Sequence, residues 1–252
     1  MLSRSPKRGR SEQLWYERGI VVTHIEITAS DGHSLGAYRA DPAGVPRGGI
    51  VVIQEIFGVN HAMRDIAQDW ASKGYIAIAP DLFWRQEPHV DITDATDEEW
   101  KKAFELYQGF DVENGIADLK ATVAYARKLD GSNGKVGTVG FCLGGKLAYL
   151  MACRSDADCN IGYYGVGIEE ALNEAANIKA PLVLHIAEED GFVPKEAQAK
   201  VKAGLAGNAH ATVYSYPGMD HAFARIGGKP YNKDNADLAN GRTAEVFAKT
   251  LK

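Results

Sequence analysis

Three side chains have the types and the chain order for nucleophilic acyl chemistry: Cys142, Asp190 and His221. Cys142 lies in Gly140-Phe141-Cys142-Leu143-Gly144, the G-x-Nu-x-G spacing of a nucleophile elbow, with a thiol where a hydroxyl is usual. Such a turn passes abruptly from strand to helix. Its neighbours must be small, and the nucleophile takes an unusual backbone conformation. The turn lifts the sulfur over a helix N-terminus, where the dipole and free N–H groups favour negative charge. The backbone N–H of Leu143 then becomes one oxyanion donor. Taken alone, the pentapeptide could equally be a buried, inert cysteine beside a tight turn.

The partners decide between these readings. After the nucleophile come an acid and then a histidine, the order this kind of elbow requires. Asp190 follows the apolar run LVLHIAEED, and His221 follows VYSYPGMDH. Glu188, Glu189 and Asp220 compete for the acid's role. Asp190 is preferred because D-G-F-V-P marks the strand-end loop, while Asp220 is too close in sequence to reach the outer nitrogen of its neighbour. His221 would take the thiol proton and later return one to the leaving oxygen. Asp190 would orient the imidazole and stabilise its charged form. His185 lies inside a strand and reads as a core or supporting residue. His24, His33, His61, His89 and His210 read as surface residues.

The elements that must position these groups alternate along the chain. Residues 20–28 and 35–40 read as a hairpin around Ser30–Gly32, and 49–53 (GIVVI) as a strand buried on both faces. Strands are also expected at 75–79, 135–140, 161–164, 182–186 and 211–216. Helices are expected at 63–73, 97–108, 112–129, 145–154, 195–205 and 237–251. This pattern predicts an α/β fold, a mostly parallel sheet with helices on both faces, whose ligands sit beyond the carboxyl ends of the strands. Residues 13–252 are expected to form one domain behind a disordered basic arm, residues 1–12.

The 252 residues carry 28 Lys and Arg against 33 Asp and Glu, a net charge of −5, which gives no reason to expect nucleic acid or an anionic membrane as partner. The three cysteines, with no CxxC pair, argue against a disulfide framework or zinc knuckle and for a reducing compartment. No secretory signal or transmembrane run is read, so a cytoplasmic location is expected. No metal is implied, because no ligand cluster is spaced for one. The Gly-rich turn lacks a Walker Lys-Ser/Thr and does not fit GxGxxG, so no nucleotide cofactor is implied either.

The segments VVIQEIFGVN, APDLFWRQ, SNGKVGTVGFCLGG, GYYGVG and HAFAR, spread from about Ile50 to Arg225, resemble the dienelactone hydrolase (carboxymethylenebutenolidase) family. The resemblance implies an α/β-hydrolase fold, the triad Cys142–Asp190–His221, and no cofactor. It adds Glu55, whose carboxylate would contact the resting thiol and gate its activation, a sound arrangement because a carboxylate keeps a thiol protonated and less easily oxidised. It implies that Arg85 and Arg225 bind a substrate carboxylate through charge-assisted bonds. By the same resemblance the Ile56 N–H is the second oxyanion donor, and Phe57, Trp84, Tyr107 and Tyr164 are pocket walls. Ala222 departs from the family's usual Ser after the histidine, and the N-terminal extension is foreign to the pattern. The expected partner is a small anionic lactone of the kind met in chlorocatechol degradation, met by a monomer. A broader thiol esterase is the alternative, and a non-catalytic ligand binder a third.

Overall fold

The computed structural model describes Trp15–Glu17 and residues 20–252; the basic arm expected at residues 1–12 lies outside them. Among the described residues nine strands form one sheet: β1 (Trp15–Glu17), β2 (Ile20–Thr28), β3 (Ser34–Asp41), β4 (Gly49–Ile53), β5 (Ile76–Pro80), β6 (Val136–Phe141), β7 (Cys159–Tyr163), β8 (Leu182–Ala187) and β9 (Ala211–Tyr216). Their spatial order is β1-β2-β3-β5-β4-β6-β7-β8-β9. The first three strands join antiparallel, β3 onto β5, and every pairing from β5 to β9 is parallel. Six α-helices cover the sheet: α1 (His61–Ser72), α2 (Asp97–Gln108), α3 (Val112–Arg127), α4 (Leu143–Arg154), α5 (Lys195–Leu205) and α6 (Lys233–Thr250). This is an α/β-hydrolase sheet.

The unbroken apolar run of β4 shows why both faces need cover. Val51 and Ile53 point into a core with Leu119, Val123 and Leu147 of α3 and α4. Ile50 and Val52 point the other way, among Ala67 and Trp70 of α1 and Phe247 of α6. Each such fully buried side chain contributes about 2 kcal/mol of transfer free energy. Thr96, Asp111 and Asn60 cap helices α2, α3 and α1 by accepting from backbone N–H groups in the first turn.

The sheet's second core also holds a buried polar chain. His185 on β8 bonds the Tyr216 hydroxyl through Nδ1 at 2.7 Å and the Thr243 hydroxyl through Nε2 at 3.1 Å. Thr243 meets the Tyr163 hydroxyl at 2.7 Å, and Arg242 donates to the Tyr216 hydroxyl. His185 is thus a core residue tying α6 to β7, β8 and β9. Burial, and then Arg242, hold its pKa down at about 3 against 6.5 for a free histidine. Between those values the unfolded chain binds a proton that the native chain refuses. Stability is therefore full above pH 6.5 and is lost as pH falls toward 3. By pH 4.5 the loss reaches about 3 kcal/mol. Urea unfolding at pH 7 and pH 4.5 should show that His185→Asn forfeits less stability over this interval than the parent protein. Equal slopes would refute the assignment.

Candidate active site

Cys142 stands between β6 and α4 with φ 54° and ψ −115°, outside the regions ordinary residues occupy. The elbow survives because the flanking glycines let backbones touch. A Cβ on Gly140 would lie 1.9 Å from the Gly144 carbonyl oxygen, and one on Gly144 would lie 2.4 Å from the Ile53 carbonyl oxygen. Helix α4 begins at Leu143, directly after the nucleophile. Two backbone N–H groups, those of Leu143 and Ile56, make no hydrogen bond within the fold among the described residues. Gln54 fixes the loop that carries Ile56: its Oε1 accepts from the Leu82 N–H at 2.9 Å and its Nε2 donates to the Glu55 carbonyl.

His221 lies beyond β9 and Asp190 beyond β8. The His221 Nδ1 lies 2.9 Å from one Asp190 oxygen and 3.0 Å from the other. Asp190 is held from the other side by the N–H groups of Phe192 and Val193. The second ring nitrogen is left free of Asp190, and Cys142 and His221 line the same cavity. Burial opposes charge on the ring, yet Cys142 and Asp190 outweigh it and push the His221 pKa up to about 10. The direction has a plain cause: a charged sulfur and a carboxylate beside the ring both favour its protonated form. Asp220 has a different job. Its Oδ1 accepts from the N–H groups of both Gly191 and His221, clipping the acid's loop to the base's loop.

Cys142 and His221 open into a cavity of about 390 Å³. One end is charged. Arg225 donates from Nη1 to Glu55 Oε2 at 2.8 Å and from Nη2 to Asp94, and lies over the Phe57 ring. Glu55 is thus seated on Arg225, with Oε1 buried and unpartnered among the described residues. An aromatic cluster adjoins it, with Trp100 packed edge-on against Phe57 at 5.1 Å. Trp100 stacks between Phe104 and Phe192 at centroid distances of 5.5 and 6.3 Å, and Phe192 sets its edge against His221. A second cavity, about 370 Å³ among His24, Arg64 and His89, contains no nucleophile. No group of three or more His, Cys, Asp and Glu side chains is placed to hold a metal ion among the described residues.

Of the residues read from sequence, the cavity brings together Cys142, His221, Glu55, Ile56, Phe57, Tyr107 and Arg225, and Asp190 stands behind His221. Tyr164 is buried beside the His221 ring at 5.0 Å and supports it rather than walling the cavity. Arg85 and Trp84 lie outside. Asp118 on α3 is buried and takes both: Arg85 Nη2 at 2.9 Å and Trp84 Nε1 at 2.8 Å, while Arg85 Nη1 reaches Asp31. A buried carboxylate needs such donors, and satisfying it turns the pair away from the nucleophile. Asp94, Trp100, Phe104, Phe192 and Lys229 line the cavity without having been read from the sequence. The one local signal is for Trp100 and Phe104, spaced four apart on the cavity side of α2.

Cys142, Asp190 and His221, on the loops after β6, β8 and β9, have the chain order and placement that the α/β-hydrolase class uses. Comparison narrows the class. The model of the dienelactone hydrolase family matches residues 35–251, and the chain belongs to that family. A carboxymethylenebutenolidase of Pseudomonas putida is 40% identical over 224 residues, 89% of this chain and 95% of that protein. A candidate carboxymethylenebutenolidase of Azospirillum brasilense is 49% identical over 232 residues, 91% of this chain and 100% of that protein. Among solved structures, a candidate dienelactone hydrolase of Klebsiella pneumoniae has TM-score 0.80 and 27% identity, covering 91% of this chain and 98% of that one. No helix among the described residues is long and apolar enough to cross a membrane.

Proposed function

We propose that the chain opens a carboxylate-bearing enol-lactone, 4-carboxymethylenebut-2-en-4-olide, to maleylacetate by way of a thioester on Cys142. The observation that carries this is the His221 ring held on Asp190 in a cavity that also presents Cys142 and Arg225. In the first step the Cys142 sulfur attacks the lactone carbonyl carbon, and the oxyanion receives the N–H groups of Leu143 and Ile56. Collapse breaks the ring C–O bond, and the His221 imidazolium gives its proton to the departing enol oxygen. Water then attacks the thioester with His221 as base, the sulfur leaves, and the enol becomes the ketone of maleylacetate. Arg225 holds the substrate carboxylate. The charge-assisted fork suits this, and the Arg225 side chain is only 11% exposed. Glu55 is the gate: turned to the thiol it keeps the sulfur protonated, and held on Arg225 it leaves the sulfur to His221.

The relatives named carboxymethylenebutenolidase support the substrate. The test is loss of dienelactone absorbance with purified protein, joined to an acid-quench mass measurement on the peptide carrying Cys142. Turnover with a transient acyl adduct on that peptide is expected, and a folded protein inert toward the lactone would end the substrate assignment. The stacked rings of Trp100, Phe104 and Phe192 favour a second reading, a thiol esterase accepting aryl esters, which preferential hydrolysis of a neutral aryl ester would establish.

A further inference from the structure

Arg225 is offered two carboxylates in the resting protein, and they are not equivalent. Glu55, just after β4, has a side chain only 2% exposed. Asp94 sits on the rim with a side chain 33% exposed, and its carboxylate can turn outward into water. The backbone beneath Asp94 is pinned. The carbonyl of Asp94 accepts from Trp100 Nε1 at 3.1 Å, and the Thr93 N–H and hydroxyl both donate to the Glu99 carboxylate. The side chain can therefore swing without moving the loop. The guanidinium edge used by Asp94 is also the only one of the two ion-paired edges whose partner can leave at little desolvation penalty.

We propose that Asp94 is a specificity-determining residue that occupies the carboxylate-binding edge of Arg225 at rest and yields it to the carboxylate of the substrate. The inference rests on the reading of Arg225 as the substrate's anchor. Two consequences follow from the charges. With Glu55 and Asp94 both on one guanidinium, these three groups together are net negative and oppose an arriving anion until Asp94 departs. A neutral ester offers nothing to replace the ion pair, so it meets a closed latch. Only a group with the charge and planarity of a carboxylate can exchange with Asp94, and it does so in competition with a tethered copy of itself.

The experiment uses 2-furoate, a flat ring bearing one carboxylate, as a competitive inhibitor of p-nitrophenyl acetate hydrolysis. The readout is the ratio of the 2-furoate inhibition constant to the KM of the neutral ester. Asp94→Ala should lower this ratio at least about fivefold, the weak end of ordinary coupling between two ligands of one site. Asp94→Asn, which keeps the shape and a hydrogen bond to Arg225, should move it the same way by less. Arg225→Met should raise the ratio. A selective rise with Arg225→Met but no fall with either Asp94 variant would overturn the latch while leaving the anchor in place. An unchanged ratio with Arg225→Met would overturn the anchor and the latch together. Equal changes in both constants with Asp94→Ala would reduce Asp94 to loop structure and also overturn the proposal.

Discussion

Replacing Cys142 with Ala should lower kcat toward lactone and neutral ester alike by roughly 10⁴-fold or more, with the fold intact. The magnitude follows from covalent catalysis: without the sulfur, neither His221 nor the oxyanion donors have an acyl group to act on. The fold should tolerate the change. Ala meets the same positive-φ strain that Cys142 already bears, and no hydrogen bond holding the elbow together runs through the sulfur. Far-UV circular dichroism and thermal unfolding of the variant check this, and steady-state rates check the catalytic loss. His221→Ala should cost a similar factor, and the double variant little more than either, because residues acting as one unit are not additive. Alkylation by iodoacetamide gives an independent reading. Cys153 and Cys159 are buried, and burial pushes Cys159 up to about 12, so native protein should be labelled at Cys142 first. Retained esterase activity in Cys142→Ala would remove the thiol from the mechanism.

The second large effect is on stability. Gly140→Ala places a methyl 1.9 Å from the Gly144 carbonyl oxygen, a contact that backbone alone must relieve. Relief would lift α4 from the end of β6, and Gly144 in turn rests against the Ile53 carbonyl oxygen of β4. The two central strands and the nucleophile helix would all have to part. A loss of about 4 kcal/mol or more is expected, at the upper end for single substitutions. Gly241→Ala is the matched control. It lies within α6 with no heavy atom within 4 Å of the added carbon, and should stabilise by about 0.5–1 kcal/mol. Denaturant midpoints for the two variants should move in opposite directions. A Gly140→Ala protein as stable as the parent would mean that the elbow does not depend on backbone contact.

These two expectations use features that the sequence displays openly, and the reason is local. The elbow is five consecutive residues, and Asp190 and His221 each follow an apolar strand that period and length reveal. Helices 97–108 and 195–205 and strands 20–28, 49–53 and 211–216 fall where hydrophobic spacing places them. Helix α4 begins at Leu143, two residues before the expected start at 145, because Leu143 and Gly144 take helical angles to aim their N–H groups at the site. Glycine at 144 and 145 hides this from propensity alone.

What the sequence conceals is set by distant partners. Arg85 sits in the expected strand-end loop, but Asp31 and Asp118, far along the chain in either direction, determine where its guanidinium goes. Asp94 carries no local mark, and its meaning comes from Arg225, 131 residues away. Trp100 and Phe104 read as one face of an amphipathic helix, which is equally the signature of ordinary packing. Phe192 joins them only because the loop after β8 folds across the mouth of the cavity. The β1 strand and the 3₁₀ segment at Ile168–Asn177 are short and irregular in pattern, so period-based reading passes over them.

The Asp220 clip bears on how this molecule tolerates motion. Strand β9 closes one edge of the sheet and is only partly covered, so it is the parallel strand best placed to breathe. Ordinarily that would loosen the histidine that follows it. Here one carboxylate oxygen grips the backbone at Gly191 and at His221, so the loops bearing acid and base travel as a single part. The edge can flex as a hinge while the Asp190–His221 spacing stays constant, in the way that a coupled pair of jaws keeps its gap when the handle moves. Mechanical tolerance at the sheet's margin and fixed geometry at its catalytic end are obtained from the same aspartate that sequence proximity had excluded from the triad.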